Sequence, residues 1–207
     1  MKILNLYAGI GGNRRGWSGH EVTAVEMCPK IAEVYAKLYP QDNVVVGDAV
    51  QYLEDNYHRF DFIWSSPPCP SHGQYRHNVG VLGKGFKPIM PDMTLYSQIV
   101  FLQHYAKGAW VVENVKPYYE PLIKPTVELQ RHLFWSNFHI PAREFERADI
   151  RHKNKISDFE GYEIVAASKI PNKRQALRNC VNPEVGAHII GHVKKPSQEL
   201  QLELVAI

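Results

Sequence analysis

An α/β domain built on a mostly parallel sheet is predicted from three observations. Short apolar runs of strand length alternate with helical patterns through the first half of the chain. Residues with special chemistry fall at the ends of five successive runs, where ligands sit in such sheets. The composition is that of a globular chain: 207 residues, 44% hydrophobic and 22% charged. That is enough to bury a full core and unlike a disordered chain.

The elements follow in order. Lys2-Ile3-Leu4-Asn5-Leu6-Tyr7 reads as a buried strand and runs straight into Ala8-Gly9-Ile10-Gly11-Gly12. Glu21 to Glu26 is a second strand, and Pro29 to Tyr39 has a helical period with proline in the first turn. Val44-Val45-Val46 is a third strand that ends in Gly47-Asp48, before a helix through Tyr57. Phe60 to Trp64 is a fourth, ending in Ser65-Ser66-Pro67-Pro68-Cys69-Pro70. A loop of about twenty residues rich in Gly and His follows, then a helix from Met93 to Ala106. Ala109 to Val112 is a fifth strand ending in Glu113-Asn114, Leu133 to Ile140 a further strand, and Pro183 to Val193 a closing helix. The length suggests one main domain with a small appendage. We divide it as 1–141 (core), 142–171 (a polar recognition segment of weak periodicity) and 172–207 (a return to the core).

Several classes are excluded. No apolar run approaches the ~18 residues of a membrane span, and the first residues lack a secretory-signal pattern. Three cysteines without a C-x-x-C argue against a disulfide framework or a cysteine zinc site, and a cytoplasmic setting is expected. The ten histidines show no metal pattern; His72 and His77 are expected to be solvated or to touch phosphate, and no metal is expected. The net charge is +3 and is unevenly placed. Ser71 to Pro91 carries Arg76, Lys84 and Lys87 and no acid, and 143–178 holds nine Lys/Arg against six Asp/Glu. Such segments permit a polyanionic partner and are equally compatible with solvated basic loops.

Gly9-x-Gly11 after the first strand lets the backbone turn tightly and approach a ligand. The third glycine of a dinucleotide fingerprint is replaced by Arg14, so no dehydrogenase is indicated. Glu26 can accept from ribose hydroxyls, or be a surface acid. Asp48 can reach an adenine amino group, or cap the helix beside it. Three prolines around Cys69 stiffen its turn and fix where the thiol points. A buried structural cysteine needs no such frame, so Cys69 reads as a nucleophile, and Cys28 and Cys180 as structural. Glu113 beside an apolar strand end can have a raised pKa and donate a proton, or be salt-bridged.

Taken together and in this order, these motifs resemble the DNA cytosine-5 methyltransferases, and the resemblance spans almost the whole chain. Leu6 to Gly12 is similar to the family's first cofactor motif, Glu26 and Asp48 to its second and third, Pro67-Pro68-Cys69 to the nucleophile motif and Glu113-Asn114-Val115 to the catalytic-glutamate motif. Arg131 falls where an arginine touches the target base, Leu95 where a leucine packs on the cofactor, and Asn179-Cys180-Val181 resembles the closing motif. The resemblance implies a Rossmann-like methyltransferase fold with S-adenosylmethionine as cofactor, held by Tyr7, Ala8, Gly9, Gly11, Gly12, Glu26, Met27, Asp48, Ala49, Pro68, Leu95, Asn179 and Val181. It implies catalysis by Cys69, Glu113 and Arg131 through a covalent bond to carbon 6 of a flipped-out cytosine. DNA contacts are expected from Ser71, Arg76, Lys84, Lys87, Arg151 and Lys153, with Arg143, Arg147 and Lys155 on the recognition side. A monomer is expected.

The chain departs from the family at five places. Asn5 replaces an acid, Met27 an aromatic residue and Pro70 a glutamine; Leu129-Gln130-Arg131 keeps one of two arginines; and the recognition segment is short. Three alternatives stay open on sequence: a tRNA cytosine-5 methyltransferase, an amino-group methyltransferase (Ser66-Pro67-Pro68 suits that family as well), and a nucleic-acid-binding homologue without turnover. Roles as a restriction partner, in phage self-protection or as a solitary methylase all fit.

Overall fold

The computed structural model describes residues 1–146 and 161–194. A seven-stranded sheet carries the fold. Its strands are β1 (Lys2–Leu6), β2 (Glu21–Glu26), β3 (Asn43–Val46), β4 (Phe62–Ser65), β5 (Ala109–Val115), β6 (Val127–Leu129) and β7 (His132–Ser136), in the order β3-β2-β1-β4-β5-β7-β6. The first five run parallel, and β7 is antiparallel to both neighbours. β1, β4 and β5 are buried almost throughout, which explains their continuous apolar runs. The chain goes from β1 out to β3, then returns to β4 on the other side of β1. The carboxyl ends of β1 and β4 therefore flank a crevice at a topological switch point.

The helices cover both faces. α1 (Pro29–Leu38) starts with Pro29 in its first turn. α2 (Ala49–Asn56) is capped by Asp48, whose carboxylate accepts from the Val50 and Gln51 amides at 2.8 and 3.0 Å. A helical stretch over Tyr75–Val81 and the single turn α3 (Leu82–Lys84) occupy part of the expected loop, followed by α4 (Thr94–Tyr105). α5 (Tyr162–Ala167), α6 (Lys173–Arg178) and α7 (Pro183–Gly191) complete the described chain. One core layer joins α7 to the sheet through Ile3, Trp17, Trp64, Phe134, Val185 and Ile189. The opposite layer joins α4 to it through Leu4, Leu6, Ile63, Leu95, Ile99 and Val112. From Gly161 on, the chain packs against α1: Val165, Ile170 and Leu177 cluster with Ile10 and Val34. Nearly half of the expected recognition segment, residues 147–160, lies outside the described residues, and with it Arg147, Arg151, Lys153 and Lys155. No described helix is long and apolar enough to cross a membrane.

Several expectations are adjusted. The strand expected over 133–140 ends at Ser136, where Asn137 turns back and accepts from the Trp110 amide at 2.9 Å. β5 runs three residues further than expected, so Glu113 and Asn114 lie within a strand rather than past its end. The short β6 and the helices α5 and α6 were not anticipated.

Arg14, at the place of the missing third glycine, is buried. Its Nε and Nη2 donate to the two carboxylate oxygens of Asp42 at 2.7 and 2.8 Å, and the Tyr35 hydroxyl donates to the same carboxylate at 2.9 Å. Removing one partner strands a buried charge. Asp42→Ala is therefore expected to cost about 3–5 kcal/mol of stability, measured by urea unfolding. A loss below about 1 kcal/mol would contradict this reading of the pair.

Candidate active site

A cavity of about 450 Å³ opens at the carboxyl ends of β1, β2 and β4. Ten of the expected cofactor contacts line it: Tyr7, Ala8, Gly9, Gly12, Glu26, Met27, Ala49, Pro68, Asn179 and Val181. Cys69, Glu113 and Arg131 line the same cavity, so one space joins both expected halves of the site. The remaining cofactor candidates lie elsewhere. Gly11 (φ +79°) backs onto the rings of Tyr39 and Tyr35, the first of which would lie 2.3 Å from an added Cβ. Asp48 serves as the α2 cap, while its neighbours Gly47 and Ala49 reach the cavity. Leu95 is buried in the α4 core layer.

The cofactor end is built on backbone. Glu26 accepts from the Gly9 amide through Oε2 at 3.0 Å and from the Cys28 amide through Oε1 at 2.8 Å. Each oxygen keeps a lone pair for a hydroxyl donor. Gly9 has φ +55°, and an added Cβ would meet nothing within 4 Å, leaving room at this turn. Val25, Ile31 and the exposed Met27 give apolar walls. Tyr7 is held by Gln98, whose Nε2 donates to the Tyr7 hydroxyl at 2.6 Å. The C-terminal segment closes the cavity because Gly12 has no side chain: a Cβ there would lie 2.5 Å from Cβ of Cys180. An acid fixed on two amides, apolar walls and an open glycine turn fit the ribose, base and sulfonium arm of S-adenosylmethionine.

At the catalytic end, the Asn114 side chain donates to the Pro67 carbonyl at 2.9 Å and accepts from the Val115 amide at 2.9 Å. This ties the proline-framed turn to β5. The Cys69 carbonyl accepts from the amides of His72 and Gly73 at 3.0 and 3.2 Å. Burial raises the Cys69 thiol pKa, Glu113 adds to that, and Arg131 opposes it. Burial pushes Glu113 up to about 7, against a hydrogen bond from Ser66 and the charge of Arg131. Arg131 is exposed, and its guanidinium donates to the Arg178 carbonyl. Sequence reasoning missed Ser66, Asn13, Arg178 and above all His132, which lies 3.5 Å (Nε2 to Oε1) from Glu113. Its position next to Arg131 was the available signal.

His72 corrects an expectation. It is fully buried rather than solvated, with Nδ1 2.5 Å from the Tyr119 hydroxyl. His77 stacks on Tyr118 with ring centroids 4.2 Å apart. The expected nucleic-acid contacts of the 71–91 segment stand off the cavity. Ser71 Oγ accepts from the Asp92 amide at 2.9 Å, Arg76 donates to the Lys87 carbonyl at 3.3 Å, and the Lys84 side chain lies outside the described portion. Among the described residues no group of three or more His, Cys, Asp or Glu could hold a metal.

Residues 1–121 match the family described as C-5 cytosine-specific DNA methylase. The chain belongs to that family. It is thus a DNA cytosine methyltransferase, with S-adenosylmethionine as cofactor. No curated protein matches its sequence significantly. Among solved structures it is similar to a hypothetical protein of Thermus thermophilus (18% identity, TM-score 0.45, covering 65% of this chain and 73% of that one). It is also similar to an E. coli prophage-encoded protein described as a DNA modification methyltransferase (21% identity, TM-score 0.37, 58% and 33%). A third is a TehB-like SAM-dependent methyltransferase from Corynebacterium glutamicum (20% identity, TM-score 0.35, 55% and 54%).

Glu113 and His132 of the methyltransferase make opposite contributions to stability against pH. The folded Glu113 holds its proton up to about 7 instead of 4.5, so the stability it contributes at low pH is lost as pH rises through that window. Burial pushes His132 down from 6.5 to about 3, so its contribution is lost as pH falls below 6.5. Between pH 4.5 and 6.5 the slopes oppose, each at most about 1.4 kcal/mol per pH unit. Urea unfolding across this window is expected to show stability rising with pH in Glu113→Gln and falling with pH in His132→Leu. The same slope in both variants would contradict the assignment.

Proposed function

We propose that this methyltransferase modifies carbon 5 of a cytosine flipped out of duplex DNA, through a transient bond between Cys69 and carbon 6. The observation that carries the reading is that Cys69, Glu113 and Arg131 line one cavity with the Gly9–Glu26 cofactor end. Carbon 5 is a poor nucleophile until a thiolate adds to carbon 6 and makes the ring an enamine. The rigid Pro67-Pro68-Cys69 turn, held by Asn114, fixes the sulfur for that addition. The thiol of the resting enzyme holds its proton and gives it up to water as the bond to carbon 6 forms. Electrons displaced from the 5,6 double bond reach ring nitrogen 3, where Glu113 supplies a proton. Arg131 holds the ring oxygen and stabilises the negative charge that develops there. S-adenosylmethionine, when bound by the residues around Glu26 and Gly9, supplies an electrophilic methyl group for carbon 5. Loss of the carbon-5 proton to water then expels Cys69, restores the double bond and returns the nitrogen-3 proton to Glu113.

Extrusion of the base costs a few kcal/mol. The 71–91 segment, with Arg76 and Lys87, supports phosphate contacts beside the flipped nucleotide. The 142–171 segment is proposed to contribute target recognition, and the protein to act as a monomer. The test is transfer of a labelled methyl group to duplex DNA and to tRNA, followed by digestion to nucleosides. The expected product is 5-methylcytosine in DNA. Label in tRNA alone, or on the cytosine amino group, would overturn the reading.

A further inference from the structure

We propose that His132 is a positioning residue, holding one carboxylate oxygen of Glu113 so that the acidic proton is carried by the other. This deepens the proposed function and rests on Glu113 as the proton donor. The geometry comes from the strand pairing. In the antiparallel β5–β7 ladder, Glu113 faces Phe134 and Val115 faces His132. Glu113 and His132 are therefore diagonal neighbours on one face, within reach of long side chains. Both side chains are more than nine-tenths buried, and His132 Nε2 lies 3.5 Å from Glu113 Oε1, just beyond the usual hydrogen-bond distance.

The tautomer follows from what surrounds the ring. His132 Nδ1 is buried with no hydrogen-bond partner among the described residues. A proton on Nδ1 would be a stranded donor, whereas a proton on Nε2 faces a carboxylate. The ring therefore presents Nε2–H to Oε1. When Glu113 is protonated, Oε1 must still accept, so its proton sits on Oε2. The imidazole takes no proton itself, because burial keeps it neutral down to about pH 3. Among the described residues, the groups that face this pair are few. Glu113 meets His132 from β7, Arg131 from the β6–β7 turn, and Ser66 and Cys69 from the segment after β4. His132 also meets Arg131 and, at 6.4 Å between ring centroids, Phe134.

The test is single-turnover methyl transfer to duplex DNA against pH, in the full chain, for His132→Leu, His132→Gln and Glu113→Gln. Gln places an amide N–H where Nε2–H stood. His132→Leu is expected to lower the maximal rate about 10- to 100-fold with unchanged KM for DNA. The break in its pH profile set by Glu113 should move to higher pH, because ionised Glu113 loses a donor. His132→Gln should recover most of the rate and the wild-type break. If Leu prevents folding, His132→Asn, polar but too short to reach Glu113, takes its place. Wild-type behaviour in His132→Leu, or equal losses in Leu and Gln with an unmoved break, would overturn the proposal. Glu113→Gln separates the two failures. If it is inactive while His132→Leu is normal, only the positioning role falls; if it is fully active, the proton-donor reading falls and the positioning role with it.

Discussion

Cys69→Ala is expected to abolish methyl transfer, lowering the single-turnover rate by about 10⁴-fold or more. Without sulfur there is no enamine, and carbon 5 is left too poor a nucleophile to react. No second thiol can substitute. Cys180 lines the same cavity, but burial pushes its thiol up to about 12, so its thiolate is negligible near neutral pH. Cys28 precedes α1 and is not among the residues lining the cavity. Because the Cys69 backbone is fixed by prolines and by Asn114, truncating the side chain should leave the fold and cofactor binding intact. Calorimetric binding of S-adenosylmethionine to the variant checks this. Lost transfer with retained cofactor binding is the expected pair of results; residual transfer above about 1% of wild type would remove Cys69 from the nucleophile role.

Glu113→Gln is expected to lower the rate by about 10²- to 10⁴-fold, the usual contribution of a positioned general acid. The amide keeps the shape of the side chain and removes its acidic proton. The pH dependence sharpens the test. Burial holds Glu113 protonated up to about 7. Burial also raises the Cys69 thiol above its ordinary value, so its thiolate grows with pH throughout the neutral range. Wild-type transfer should therefore rise up to about pH 7 and level off above it, where loss of the acid offsets the growing thiolate. Glu113→Gln should keep rising through that break. Rates measured from about pH 6 to 9 locate the break. A variant that kept it would show that some other group sets it.

Much of this was legible in the sequence because the central strands are buried on both sides. The apolar runs of β1, β4 and β5, and the chemistry placed at their ends, depend on local pattern alone. What was not legible depends on contacts distant in the chain. β6 is three residues long, and its pairing with β7 has no periodic signature. Gly11 reads as a ligand-approach glycine, yet its missing side chain makes room for Tyr39, 28 residues away in sequence. Arg14 reads only as the loss of a glycine, and becomes a buried ion pair because Asp42 reaches back from the loop after α1. His132 is marked in the sequence only by its place next to Arg131. It reaches Glu113 only because β7 runs antiparallel to β5. The departures at Asn5 and Pro70 resolve differently. Asn5 is buried and accepts from the Asn13 side chain at 2.9 Å, so it braces the glycine turn. Pro70 stays on the cavity wall.

The measurement that bears most directly on the mechanism is covalent trapping. Duplex DNA with 5-fluorocytosine at the target site is incubated with the enzyme and S-adenosylmethionine, and the digested product is weighed by mass spectrometry. Fluorine cannot leave carbon 5 as a proton does, so the intermediate should persist as a methylated fluorocytosine bonded to the peptide containing Cys69. The account predicts that adduct, dependent on the cofactor and missing from Cys69→Ala. Methyl transfer to unmodified DNA with no trapped peptide, or an adduct on Cys28 or Cys180, would contradict it.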